Sequence, residues 1–270
     1  MNSKYFVEVL TPKSSVEDPE SAIGVFAERY KAVIEAGWVV SIPDNPMGVV
    51  RFRAEEVIRE LGLMVPEGQV LLHINTFHTK TSLDEIIEAA IDMNVRRLML
   101  VSGDGGGGLP RVEPADLGVD AKVVTSVGLL EYIAREYPGK FELGVAFNPY
   151  EPADHELLKL KQKAAAGAAF VVTQPVVGLD MRVLPGARVG LPVYVGAWMS
   201  KRLELLSKCV GTQVPDWQLY DPMENLFFLH RRHRQWGLYL SMVGFKTQLS
   251  GIADILERDS AGCAECCGCG

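Results

Sequence analysis

Val95-Arg96-Arg97-Leu98-Met99-Leu100-Val101-Ser102-Gly103-Asp104, running on through Gly105 to Gly108 into Leu109 and Pro110, is the stretch that decides the fold. Leu98 to Val101 is a short apolar run without polar alternation, the pattern of a strand buried on both faces. It stops at a small residue, a glycine, a carboxylate and four more glycines, the pattern of a strand opening into a loop. In parallel α/β folds ligands bind at the C-terminal ends of strands. Asp104 therefore stands where chemistry is usually done, and the glycines let backbone N–H groups approach a ligand. The same residues also read as a surface loop with a solvated aspartate.

Toward the N-terminus the pattern repeats. Gln69–Asn75 is a strand with His73 near its end, followed by a helix over 83–93 that Ser82 caps, with Glu85 completing a capping box. Trp38–Ile42 is a strand followed by a turn-rich loop, Pro43 to Gly48, and a short helix over 55–61. Tyr5–Leu10 is the first strand, with Glu8 among valines, and an amphipathic helix over 19–36 follows it. A carboxylate inside an apolar strand is costly unless paired or functional.

Toward the C-terminus come a helix over 122–136, a strand over 141–147, a Lys-rich helix over 153–166 and a strand over 168–173 that ends at Gln174-Pro175. A strand over 192–195, helices over 199–209 and 222–236, a strand over 239–245 with Lys246 after it, and a helix near 248–257 complete the series. Eight strands alternating with helices predict a parallel sheet covered by helices, and the count and length favour one closed (β/α)₈ TIM barrel over residues 1–258. Residues 259–270 are a Cys/Gly-rich tail.

Of 270 residues, 48% are hydrophobic and 23% charged, as in an ordinary globular protein. A net charge of −7 argues against a nucleic-acid partner, and no apolar run is long enough to span a bilayer. No secretory signal is visible, so the cytoplasm is the expected location. Four of the five cysteines, Cys263, Cys266, Cys267 and Cys269, crowd the tail. They read as a zinc site, as an iron–sulfur cluster, which would imply a redox partner protein, or as reactive thiols without metal.

In a barrel all eight strand ends face one basin. Here that basin collects Glu8, Ser41, Asp44, Asn45, His73, Asn75, Asp104, Phe147, Asn148, Gln174 and Lys246. Two carboxylates in different environments can divide the roles of acid and electrostatic stabiliser. His73 also reads as a hydrogen-bonded core histidine, Phe147 as core, and Lys246 as a solvated cation.

The sequence resembles methylenetetrahydrofolate reductase from Val7 to about Leu256. The resemblance rests on Val7-Glu8-Val9-Leu10-Thr11-Pro12-Lys13, on Leu72-His73-Ile74-Asn75, and on Ser102-Gly103-Asp104 with Leu109-Pro110. The most specific part is Glu156 to Lys163, Ala166-Gly167-Ala168 and Phe170-Val171-Val172-Thr173-Gln174-Pro175. It implies a barrel carrying FAD, with hydride passing from NAD(P)H through the flavin to 5,10-methylenetetrahydrofolate. It further implies Glu8 as general acid, Asp104 as pterin ligand and cation stabiliser, and Gln174 as pterin ligand. His73, Ser102, Gly103, Asp104, Phe147, Glu156, Lys159 and Lys163 match flavin-lining positions, and Lys246 a basic residue near the folate tail. A homo-oligomer is expected.

Four departures stand out. Ser102 replaces an arginine, Gln162 stands where a basic residue often contacts the cofactor, glycines 105–108 are inserted, and the loop from Ser41 to Gly48 lacks the family's Thr-Tyr-Gly signature. They leave open a flavin-free reductase, one acting on a related pterin, or an accessory subunit of a C1-pathway complex. A barrel lyase or aldolase would want a strand-end lysine or a metal cluster, and only Lys246 is available.

Overall fold

Eight short parallel strands close on themselves in the order β1 to β8: β1 (Tyr5–Glu8), β2 (Val39–Ile42), β3 (Val70–Ile74), β4 (Arg97–Leu100), β5 (Glu142–Phe147), β6 (Phe170–Val176), β7 (Val193–Trp198) and β8 (Gly237–Ser241). The computed structural model describes residues 3–106, 108–177, 189–214 and 220–256. The cysteine-rich tail lies outside the described residues. The helices are α1 (Pro19–Glu35), α2 (Ala54–Glu60), α3 (Lys80–Asp92), α4 (Pro114–Leu117), α5 (Ser126–Glu136), α6 (Ala153–Ala165), α7 (Leu203–Val210), α8 (Pro222–Arg232) and α9 (residues 249–256). The alternation in the sequence thus builds the expected (β/α)₈ barrel.

The two-residue period of the strands divides the apolar residues between two cores. Val7, Val40, Leu72, Leu98, Val145, Val171, Val195 and Leu240 pack between strands and helices. Phe6, Val39, Leu71, Met99, Phe170, Val172 and Tyr239 fill the barrel. The lower half of the interior is plugged by rings: Phe6 stacks on Tyr194 at 3.9 Å, and Phe170 lies edge-on to both. Gly144 and Gly237 make room, since a Cβ on either would come within 2.2 or 2.3 Å of the Phe170 and Tyr194 rings. Arg97, 3% exposed, closes the bottom against Phe6 and donates to Glu142 and to the Gly68 carbonyl, each at 2.8 Å. Polar chemistry is left to the upper half.

Several boundaries differ from the sequence expectation. Helix α3 begins at Lys80, not at 83: Thr79 is extended and its hydroxyl accepts from Ser82 N–H, so Thr79 rather than Ser82 is the cap. Glu85 does not complete a capping box and instead pairs with Arg53. The expected helix from 122 starts at Ser126, because Thr125 is extended, and the short α4 precedes it. Strand β6 runs on through Gln174 and Pro175, with a register shift against β7 between Val172 and Pro175. Strand β8 ends at Ser241, so Lys246 lies exposed in the following turn and not at a strand end.

Helix α8, not α7, packs on β7. Helix α7 belongs to the connection above the barrel, where Leu203, Leu206 and Val210 form a small separate core with Val177, Trp198 and Val214.

Candidate active site

The C-terminal mouth of the barrel holds a chain of polar side chains that point inward from four strands. Glu8 ends β1, and its Oε2 accepts from the phenol of Tyr239 at 3.1 Å. Tyr239 Oη in turn accepts from Ser41 Oγ at 3.3 Å, and Ser41 Oγ lies 2.8 Å from His73 Nε2. The alternation that buries Phe6, Val39 and Leu71 inside the barrel carries Glu8, Ser41 and His73, two residues further along each strand, to the same side.

Burial sets the protonation of this chain. It raises the Glu8 carboxyl from an ordinary 4.5 to about 7, against the opposing pull of the Tyr239 hydrogen bond, the Arg51 charge and the Met242 backbone N–H. Burial lowers the His73 imidazole from 6.5 to about 4, with Asp44 opposing, so the ring is neutral. Burial and then the Glu8 charge push the Tyr239 phenol far up. A protonated carboxyl and a neutral imidazole therefore face one another through two hydroxyls near pH 6.

Arg51, in the segment between β2 and α2, donates through Nη1 to the Thr11 carbonyl and through its backbone N–H to Asn45 Oδ1 at 2.8 Å. Its Nε is buried with no partner among the described residues. Asp44 organises the neighbouring loops. Its Oδ2 lies 2.7 Å from His78 Nε2 and accepts from Asn75 N–H at 3.0 Å.

Asp104 is exposed and accepts from Met47 N–H at 2.7 Å. Met47 adopts φ 58°, a left-handed conformation uncommon for its type, and Gly48 faces Gly105 so closely that a Cβ would lie 1.8 Å from the Gly105 carbonyl oxygen. Cys209 of α7 reaches the same spot, with Sγ 4.0 Å from Met47 Sδ. Burial, Glu8 and Asp104 all raise its thiol pKa. The loops after β2 and β4 and the helix above β7 thus meet over the mouth.

The other expected residues fall into two groups. Gly103 and Asp104 lie on the loop above the mouth, His73 lies inside it, and Gln174 sits at the β6 irregularity. Ser102 Oγ accepts from Ser126 N–H at 3.3 Å, and its carbonyl accepts from Thr76 Oγ1 at 2.8 Å. Phe147, 1% exposed, packs with Leu143 and Val145 in the layer beneath the helices, turned from the basin. Glu156, 4% exposed, accepts from Asn148 N–H at 3.0 Å and Lys159 Nζ at 2.8 Å. Lys163 donates to the Ala146 carbonyl at 2.7 Å. The cysteines 263, 266, 267 and 269 lie outside the described residues, and among the described residues no His/Cys/Asp/Glu group could hold a metal ion. Sequence reading did not single out Tyr239, Arg51 or His78. Only the inward parity of Tyr239, shared with the strand's other barrel-facing positions, carried a signal.

Solved structures with this architecture include dihydropteroate synthases. One from Xanthomonas albilineans with 4-aminobenzoic acid is 16% identical, covers 97% of this chain and 94% of its own, and has a TM-score of 0.54. One from Vibrio fischeri ES114 is 10% identical, with 97% and 94% covered and a TM-score of 0.54. One from Yersinia pestis with a sulfonamide drug is 13% identical, with 97% and 95% covered and a TM-score of 0.53. At such identities the likeness is one of fold. A search of curated proteins gave no match. The family model described as methylenetetrahydrofolate reductase matches residues 3–181, which carry Glu8, Ser41, His73, Asp104 and Gln174, and the chain belongs to the methylenetetrahydrofolate reductase family.

Proposed function

We propose that the protein reduces the methylene bridge of a methylenetetrahydrofolate-type substrate to a methyl group, with hydride originating from NAD(P)H. The observation that carries this reading is Glu8: a carboxyl held to about 7 at the barrel mouth is an acid matched to neutral pH. Glu8 protonates the bridging nitrogen, the C–N bond to the methylene carbon breaks, and an iminium cation forms. Asp104 stabilises that cation and holds the pterin, which requires it to exchange the Met47 N–H for substrate donors. Hydride attack on the iminium carbon gives the methyl group and leaves Glu8 ionised. Gln174 is the proposed pterin ligand, and exposed Lys246 the proposed contact for the anionic folate tail.

A bound FAD would supply a hydride carrier between the nicotinamide and the iminium carbon. The residues at the flavin-matching positions do not fit it as they stand. Lys159 and Glu156 neutralise one another, Lys163 is tied to a backbone carbonyl, Phe147 faces the helices, and Ser102 offers no cation for a pyrophosphate. That observation favours a second reading of the same reaction, in which hydride passes directly from the nicotinamide to the iminium carbon.

The test is substrate-dependent oxidation of NAD(P)H, with mass analysis of the methyl product formed from nicotinamide deuterated at C4. Methyl product and its loss in Glu8→Gln are expected, with deuterium kept in the methyl group on direct transfer and exchanged with solvent at the flavin N–H on the other route; wild-type turnover by Glu8→Gln sinks the assignment. Flavin bands at about 380 and 450 nm with ping-pong kinetics would select the flavin route, and a colourless protein with sequential kinetics the direct one.

A further inference from the structure

In the reaction proposed above Glu8 gives up one proton per turnover and must regain one. The hydrogen bonds around it are ordered. Tyr239 donates to Glu8 and Ser41 donates to Tyr239. Each hydroxyl has a single proton, so Ser41 Oγ must accept from His73, which fixes the ring as the Nε2–H tautomer. Every donor in the chain then points toward Glu8.

A cavity of about 40 Å³ has His73, Asp44, His78 and Arg51 in its walls. It has room for water, which needs roughly 10–15 Å³ per molecule. Its lining mixes apolar side chains such as Ile42 and Leu72 with polar Asp44, His78 and Arg51, which offer a water hydrogen-bond partners.

We propose that Glu8 is reprotonated through His73, Ser41 and Tyr239, fed by water in this cavity. A proton from water arrives at His73 Nδ1 as the Nε2 proton passes to Ser41 Oγ. The Ser41 proton passes to Tyr239 Oη, and the Tyr239 proton to Glu8 Oε2. Only N–H and O–H bonds form and break, no electron is transferred, and one solvent proton is consumed per carboxylate neutralised. Rotation of the two hydroxyls and exchange of the ring proton with water reset the chain. The charged and titratable groups facing Glu8 are Tyr239 from β8, Arg51 from the segment after β2 and Cys209 from α7; Asp44 faces His73, and Asp104 faces Cys209. The neutral state of the ring suits a group that takes and gives a proton without holding a charge.

The inference rests on Glu8 being the acid, and the experiment separates the two claims. The first turnover and the steady state of methylene reduction are measured at pH 8 in dilute bulky buffer, in H₂O and D₂O, with and without added imidazole, for wild type, Glu8→Gln, Tyr239→Phe and His73→Gln. Ser41→Ala interrupts the same chain at the cost of one hydroxyl, should Tyr239 prove necessary for folding. The relay variants are expected to lose roughly tenfold or more in steady state, less in the first turnover, with an altered solvent isotope effect and partial rescue by imidazole. Equal losses in both phases without rescue, or wild-type rates throughout, would overturn the relay while Glu8→Gln remains inactive. An active Glu8→Gln would instead overturn the reading of Glu8 itself.

Discussion

The phenol of Tyr239 donates to the carboxylate of Glu8 across 3.1 Å, so the last strand of the barrel closes on the first through a side-chain hydrogen bond as well as a backbone ladder. This bond favours the ionised acid, and burial opposes it more strongly, leaving Glu8 at about 7.

The pH dependence of methylene reduction follows. As the proposed acid Glu8 would act in its protonated form, so the single-turnover rate is expected to be flat below about 7 and to fall tenfold per pH unit above it. Tyr239→Phe removes a bond that favours the carboxylate and should move the break upward. Rapid-mixing rates from pH 5.5 to 9 check both; a downward move would contradict the assigned role of the phenol.

Stability should respond on the acid side of the same break. Below 4.5 Glu8 is protonated folded or unfolded; as pH rises from 4.5 through about 7 its carboxyl ionises first in the unfolded chain, and Glu8's own contribution to stability falls. Glu8→Gln has no such loss. It should be more stable than wild type at pH 8 by on the order of 3 kcal/mol, at 1.36 kcal/mol per pKa unit, and no more stable at pH 4. Denaturant titration at the two pH values measures the difference.

Gly48 and Gly108 both have positive φ, 67° and 71°, but only Gly48 faces backbone at close range. Gly108→Ala should cost about 1–2 kcal/mol, the strain of a left-handed residue. Gly48→Ala must also push the β2 and β4 loops apart, which displaces Asp104 from Met47. Its kcat/KM should fall at least tenfold further than that of Gly108→Ala. Similar values for the two would show that this loop contact does not position Asp104.

Glu156 serves its own chain in the structure. Glu156→Gln weakens the bonds from Asn148 N–H and Lys159, and should destabilise the fold by about 1–3 kcal/mol. Any thermal shift on adding FAD should be the same in variant and wild type. A shift that disappears only in the variant would return Glu156 to the cofactor.

The barrel was legible because buried strands and amphipathic helices have distinct periods, as Leu98 to Val101 and the helix carrying Ile23, Phe26 and Tyr30 show. Glu8 and Asp104 were legible as carboxylates at strand ends. Helix starts at Lys80 and Ser126 were not, since a threonine caps as well as a serine and only backbone conformation decides between neighbours. Phe147 was read into the basin although its parity with Leu143 and Val145 turns it outward. Tyr239 was hidden because the last strand was placed two residues late, and because a tyrosine in a strand also reads as core.

Glu8 and His73 hold protons in the reverse of their order in water: the carboxyl at about 7, the imidazole at about 4. Between pH 4.5 and 6.5 unfolding moves one proton from the acid to the base and takes up or releases none from solution through this pair. The folded interior keeps two neutral groups that the open chain converts into an anion and a cation. Over that window this pair adds nothing to the pH slope of stability, and its share of the unfolding enthalpy is independent of the ionisation heat of the buffer.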